Sequence, residues 1–468
     1  MAGVPLNWIP LHEAAEPFLL YETDRYRKCG LTCVDVRGAV DADALLAAMA
    51  RTFEEFPAAR SLLRERRVGA RHLLFWAPIP DFRPELRVAD LRPVIAGGVE
   101  ARDAISRHFR ERLLRGVDLT REPPFAVHLL RTGDDRYSLV TYQQHVAADG
   151  GSLFGFWMRL LAHYEAAQTG RLPDWADGPV APSSIAAEGN GKPHAYTPLR
   201  FARESVRMIV ENARRPPASL ADRKRPEVCD RTSHRRVLEP DEVARVRAAS
   251  RRYGCTVNDV LCAAGAVAVE RWLREEGRGA DRVTVWIPTN LRGRMGTRET
   301  ATNQASAVMV VTRPEDRRDF AKLSALVRRE RTRQMEEGYD VANFLALIKL
   351  IGASRVLPFA WRRGVLRKMM EQPCSIMLSN MGVLWPEVKD GRLTGRSFLE
   401  RAGNLDVLGI DMNFSVAQHE GHGFVIHTFR ERLCFNYSIL TELMPAAQAE
   451  RFLDLYLTVL RESYEEKN

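Results

Sequence analysis

The spacing of apolar residues changes at about residue 150. The largely apolar stretch Leu139–Tyr142 predicts a strand, whereas Leu153, Phe154, Trp157, Met158 and Leu161 recur at helical spacing behind Ser152, a residue suited to an N-cap. Residues 31–180 alternate strands and helices in this way. The helix over 43–56 shows Leu45, Met49, Phe53 and Phe56 on one face, with Asp41 as its cap. From Pro173 to Pro198 the chain turns to Gly, Pro, Ala and Ser and reads as a linker. A short basic helix follows, with Arg200, Arg203, Arg207 and Arg214 at near-helical spacing and Phe201, Val206, Ile209 and Val210 among them. Arg214-Arg-Pro-Pro and Arg223-Lys-Arg-Pro break it.

A second alternating region starts near His234. Pro240-Asp-Glu opens a helix that Gly254 closes, and Thr256 caps a longer one ending near Gly277. Strands are predicted at 282–288, 305–312, 374–380, 406–411, 423–429 and 433–437, with helices at 317–336, 340–352, 357–370 and 442–463. The pattern predicts an α/β protein in three parts: an N-terminal unit over 1–185, a linker with a basic helix over 186–233, and a C-terminal unit over 234–468. A length of 468 residues also favours two domains.

Candidate chemistry gathers where the predicted strand 139–142 ends. There His145-x-x-x-Asp149-Gly150 sits on a tight strand-to-helix turn, and the glycines permit a sharp bend and close backbone approach. A histidine so held has a pKa near neutrality and can accept a proton from an incoming nucleophile. Taken alone, the string reads more simply as a core histidine followed by an ordinary acidic helix start.

Its neighbours change that balance. Asp118-Leu-x-x-x-Pro123-Pro-Phe followed by Gln144-His145-x-x-x-Asp149-Gly150-x-Ser152 resembles the condensation-domain superfamily, which includes chloramphenicol acetyltransferase, nonribosomal peptide condensation domains, polyketide-associated acyltransferases and wax ester synthases. The family signature is His-His-x-x-x-Asp-Gly. Its second, catalytic histidine falls on His145, and its first, mainly structural one falls on Gln144, a departure. Similar blocks run along the chain: Val36-Arg-Gly38-Ala-Val-Asp41, Phe56-Pro57-x-x-Arg60, Thr256-Val-Asn258-Asp259, Ile287-Pro288-Thr-Asn290-Leu-Arg292, Thr302-Asn303-Gln and Leu378-Ser379-Asn380-Met-Gly382.

The resemblance implies two chloramphenicol acetyltransferase-like subdomains with mixed sheets, meeting in a V around a central tunnel. It implies an acyltransferase in which His145 is the general base. Asp149 shapes the turn, with Arg292 as the candidate partner, and Gly150 keeps the tunnel floor open. Ser379, Asn380 and Asn303 are candidate substrate contacts, although Ser379 and Asn380 serve equally as a strand end. The donor implied is an acyl thioester, either acyl-coenzyme A or a phosphopantetheinyl carrier protein, and the acceptor a small amine or alcohol. No tightly bound cofactor is implied. Condensation-like domains that only recruit a carrier or partner enzyme form the alternative, and Gln144 keeps it open.

Composition adds limits. Hydrophobic residues make up 45% of the chain and charged residues 28%, ordinary for a globular enzyme. No apolar run approaches the roughly 20 residues that span a bilayer, and Met1-Ala-Gly-Val-Pro-Leu lacks a signal-peptide pattern, so a cytoplasmic protein is expected. Seven scattered cysteines read as reduced thiols. The net charge of +9 suits coenzyme A phosphates or an acidic carrier, with a solvated Arg-rich surface as the plain alternative. No nucleic-acid-binding pattern accompanies it. For the basic helix a solvated face is the first reading, with a carrier protein or peripheral membrane contact as the second. His419, His422 and His427 surround a predicted hairpin but lack the ligand set of a metal site, so none is expected. There is no Gly-x-Ser-x-Gly elbow and no phosphate-binding Gly-x-x-x-x-Gly-Lys loop.

Overall fold

A computed structural model describes residues 4–22, 27–177, 198–220, 230–295, 303–370, 373–389, 392–414 and 422–465. Two six-stranded mixed sheets carry the architecture. In the N-terminal sheet the order is Arg401–Ala402, Leu405–Asn413, Cys29–Arg37, Arg136–Gln144, Phe125–Arg131 and Leu86–Asp90. Only the last pair is parallel. In the C-terminal sheet the order is Ala305–Thr312, Val283–Asn290, Ile376–Val383, His422–Phe429, Arg432–Leu440 and Arg231–Leu238. There Ile376–Val383 runs parallel to both neighbours.

Helices cover each sheet. Ala42–Glu55 packs on Gly150–Thr169, with the rings of Phe53 and Phe156 edge to face at 5.5 Å. Asp41 caps the former by accepting from the N–H groups of Asp43 and Ala44. Over the C-terminal sheet, Val257–Glu275 and Ala446–Glu465 lie side by side, and the Tyr456 hydroxyl donates to Leu261 O at 3.0 Å. Thr256 and Asp259 form a reciprocal capping box at the start of the buried helix. The hairpin of His422–Phe429 and Arg432–Leu440 turns on Arg430 and Glu431, at φ 49° and 61°, the left-handed pair that matches strand twist in a two-residue loop. Segments 178–197 and 221–229, which include much of the predicted linker, lie outside the described residues, as do Thr302 and His419.

The sheets do not divide at one point in the sequence. Strand Leu405–Asn413, within the predicted C-terminal unit, pairs with Cys29–Arg37 in the other sheet, from Asp406 opposite Arg37 to Asn413 opposite Leu31. Local patterning cannot specify this, because a strand buried on both faces fits either sheet and its partner is a long-range choice. The crossover also joins the halves electrostatically. Asp411, buried on that strand, pairs with Arg102 from the N-terminal half and with Arg235 on the edge strand of the C-terminal sheet. No helix among the described residues is long and apolar enough to cross a membrane.

Candidate active site

The strand Arg136–Gln144 ends at a 3-10 turn over His145–Ala147, and the helix Gly150–Thr169 begins directly after it. The N-cap is Asp149, rather than Ser152 as the apolar spacing predicts. The Asp149 Oδ1 accepts from the Ser152 N–H at 2.9 Å, so the serine lies inside the first turn.

Asp149 has no oxygen to spare. Oδ1 also accepts from Arg292 Nη2, and Oδ2 accepts from Arg292 Nη1, both at 2.8 Å. The Gln304 N–H gives Oδ2 a second donor at 2.9 Å. Arg292 Nη2 further donates to Ser152 Oγ at 2.8 Å. Both charged side chains are 5% exposed. Burial by itself would raise the Asp149 carboxyl, but Arg292, with the backbone donors of Gln304 and Ser152, outweighs it and holds the group below its ordinary value. The glycines make room for this pair. A Cβ on Gly151 would stand 2.9 Å from Arg292 Nη1, and one on Gly150 would stand 2.7 Å from Met381 Cε.

The backbone of the turn is held from both halves of the molecule. His145 N–H donates to Lys28 O at 2.8 Å. Asn303 Nδ2 donates to His145 O at 3.1 Å and to Val146 O at 2.9 Å. Asn303 is therefore a buried brace of the turn, where the resemblance implied a substrate contact. Gln144 is fully buried beside Glu22, to which its Nε2 donates. The same Glu22 oxygen accepts from Lys28 N–H at 2.7 Å, so Gln144, Glu22 and the Lys28 backbone form a continuous support behind His145. Burial raises the Glu22 carboxyl.

The imidazole itself is half-buried. Phe18, from the short helix Glu16–Leu20, lies on one face of it, with ring centroids 4.0 Å apart and planes 9° from parallel. Burial, and to a smaller extent the Lys28 cation, lower its pKa to about 4. Its own backbone, Asp149 and Asn303 pull partly the other way. The imidazole is thus neutral at pH 7. Nδ1 is buried, and so is the Asn303 amide oxygen; neither has a hydrogen-bond partner among the described residues. Nε2 is not among the buried atoms that lack a partner.

Ser379 and Asn380 close on their own strand end. Asn380 Oδ1 accepts from Gly382 N–H at 2.9 Å, and Ser379 Oγ faces the Met381 sulfur at 3.8 Å. Neither is hydrogen-bonded to the His145 turn. His422 and His427 are buried in one strand against the carbonyls of Ser375 and Ile410. No group of residues fit to hold a metal occurs among the described residues. Phe18, Glu22, Lys28 and Met381 belong to the site without having stood out in the sequence, whereas Gly151 was one of the two glycines read as permitting the sharp turn.

This arrangement has relatives. Residues 229–437 match the model of the phthiocerol/phthiodiolone dimycocerosyl transferase C-terminus. The first condensation domain of the CDA synthetase superposes with a TM-score of 0.68 at 15% identity, covering 99% of this chain and 97% of that domain. The chain shares the two-subdomain fold of the condensation domains. A starter condensation domain of rhizomide synthetase solved with C8-CoA also superposes, at a TM-score of 0.68 and 14% identity over 98% of this chain and 95% of its own. An uncharacterised protein of Mycobacterium tuberculosis is 31% identical over 301 residues. The chain spans 64% of that relative's length, and the match takes in 62% of this condensation-type chain. The isonitrile lipopeptide synthase of the same organism is 31% identical over 145 residues, which is 31% of this chain and 6% of that protein.

Proposed function

We propose that this condensation-type chain transfers an acyl group from a thioester to an amine or hydroxyl, with Nε2 of His145 as the general base. The observation that carries this reading is the bracing of the His145 turn from both halves, beside burial that keeps the imidazole pKa low. Nδ1 is buried and the Asn303 side chain acts on the imidazole, which favours the tautomer protonated at Nδ1 and leaves a lone pair on Nε2.

An amine or alcohol is a poor nucleophile while it holds its proton. Nε2 accepts that proton as the nitrogen or oxygen attacks the thioester carbonyl carbon. The tetrahedral intermediate then collapses, the C–S bond breaks, and the proton passes from the imidazolium to the departing thiolate. No covalent acyl-enzyme is needed. Asp149 takes no proton, because four donors already fill its two oxygens. Its part is to fix the turn, and Arg292 holds it there.

The thioester is acyl-coenzyme A or an acylated carrier protein, and the product an ester or amide in natural-product or lipid assembly. The relation to a lipopeptide synthase and to a domain solved with C8-CoA supports this class of donor. The test incubates the purified chain with short- to long-chain acyl-coenzyme A, C8-CoA among them, and with acylated carrier protein. Mixed amine and alcohol acceptors are supplied, and thiol release and product mass are followed. Acceptor-dependent thiol release with a product of matching mass supports the proposal. Failure of every donor, with the chain folded, favours the recruiting role instead.

A further inference from the structure

Helix Pro198–Arg214 is built inside out. Its polar side faces the protein. Asn212 Oδ1 accepts from Arg282 Nη1 at 2.7 Å, and Glu211 lies 3.6 Å from both Arg282 and Arg313. Ser205 hydrogen-bonds Tyr339 on the neighbouring helix Tyr339–Ser354. Arg282, which anchors this side, is 4% exposed. The apolar side faces outward: Val206 is 59% exposed, Ile209 65% and Val210 41%, and Ala202 and Ala213 are exposed beside them.

At about 100° per residue, Ala202, Val206, Ile209, Val210 and Ala213 fall within an arc of about 100°. Arg203, Arg207 and Arg214 follow directly along one edge of that arc, and all three are exposed. Among the described residues, no carboxylate lies within ion-pair reach of Arg203 or Arg214, and Arg207 has only Glu204 at 3.9 Å. A helix in a soluble core turns the other way, because exposing aliphatic side chains forgoes their burial. Here polar hydrogen bonds hold the helix so that its aliphatic stripe stays outside.

We propose that this helix seats the protein on an anionic membrane surface. The stripe runs about 16 Å along the helix, from Ala202 to Ala213. It forms a ridge of high exposure rather than a groove, which suits shallow insertion among lipid chains. The arginines beside it complement lipid phosphates, and the chain's net charge of +9 adds long-range attraction. A second copy of this chain would bring the same arginines to the same stripe, so charge opposes self-pairing.

Flotation of the full chain with vesicles tests this. Wild-type protein should float with phosphatidylglycerol-containing vesicles, stay behind with pure phosphatidylcholine vesicles, and be released by high salt. Val206→Glu with Ile209→Glu should lower partitioning at least tenfold with an unchanged melting temperature, and Val206→Ser with Ile209→Ser gives a milder variant should the glutamates disturb folding. Arg203→Gln with Arg214→Gln should weaken binding to anionic vesicles alone. Wild-type protein that ignores anionic vesicles overturns the proposal, as does undiminished binding by both stripe variants. A chain that ignores vesicles and forms a dimer lost on Ile209→Glu overturns it in favour of self-association.

Discussion

The ring of Phe18 lies flat on the imidazole of His145, 4.0 Å between centroids. The helix that carries Phe18 is itself pinned from the other half of the chain. Glu16, two residues earlier and fully buried, accepts from Arg355 Nε at 2.8 Å and from Arg362 Nη1 at 2.5 Å. The aromatic cover over the proposed base is thus placed by ion pairs that span more than 300 positions of sequence. Removing it should let water reach the ring. Phe18→Ala is expected to move the His145 pKa from about 4 up toward 6.5, while Phe18→Leu, which keeps an apolar cover, should leave most of the depression in place. Titration of the imidazole by NMR in each variant checks this.

Arg292→Ala should be costly for a different reason. It strips a buried carboxylate of its counter-charge and two hydrogen bonds, a loss of about 3–5 kcal/mol for pairs of this kind. The double variant Asp149→Ala, Arg292→Ala should lose less than the sum of the two single changes, because no unpaired charge then stays buried. Urea unfolding of the three variants measures the coupling.

The acid limb of the reaction should lie unusually low. In the proposed mechanism neutral imidazole is the reactive form, and its folded pKa is about 4, so transfer should hold its rate as pH falls through 6.5 and decline only toward 4. Stability has the matching sign. Between about 4 and 6.5 the unfolded chain binds a proton that the folded one does not. The His145 contribution is therefore complete above 6.5 and is lost progressively as pH falls toward 4. A pH–rate profile alongside unfolding midpoints separates the two effects.

Gln144 supplies a buried donor to Glu22. Gln144→His can still donate there, and should keep both fold and transfer. Gln144→Leu leaves the buried Glu22 with one donor fewer, at about 1–3 kcal/mol, and loosens the support behind Lys28 and His145. Chemical denaturation compared across the two variants decides whether this position is structural.

Much of this site was legible where its chemistry is local. Helix Ala42–Glu55 with its Asp41 cap, the Thr256 capping box and the strand-to-helix turn at His145 all follow from neighbouring residues. Arg292 could be named because a motif carried it. The Phe18 stack could not, since Phe18 lies on a five-residue helix whose position over the turn depends on Arg355 and Arg362. Asn303 reads as polar and available, yet its amide nitrogen donates to two backbone carbonyls. Strand Leu405–Asn413 was visible as a strand, but its choice of sheet was not. Contacts closed over long sequence separations leave little trace in local periodicity.

The central claim rests on Nε2 of His145, and one comparison tests it most directly. Wild-type protein and His145→Ala, matched for melting temperature, are assayed with an acyl thioester that the wild type accepts and a fixed amine or alcohol acceptor. Transfer should fall by about 10²–10⁴-fold in the variant, the usual contribution of a general base. A folded His145→Ala protein that transfers acyl groups at the wild-type rate would contradict the assignment.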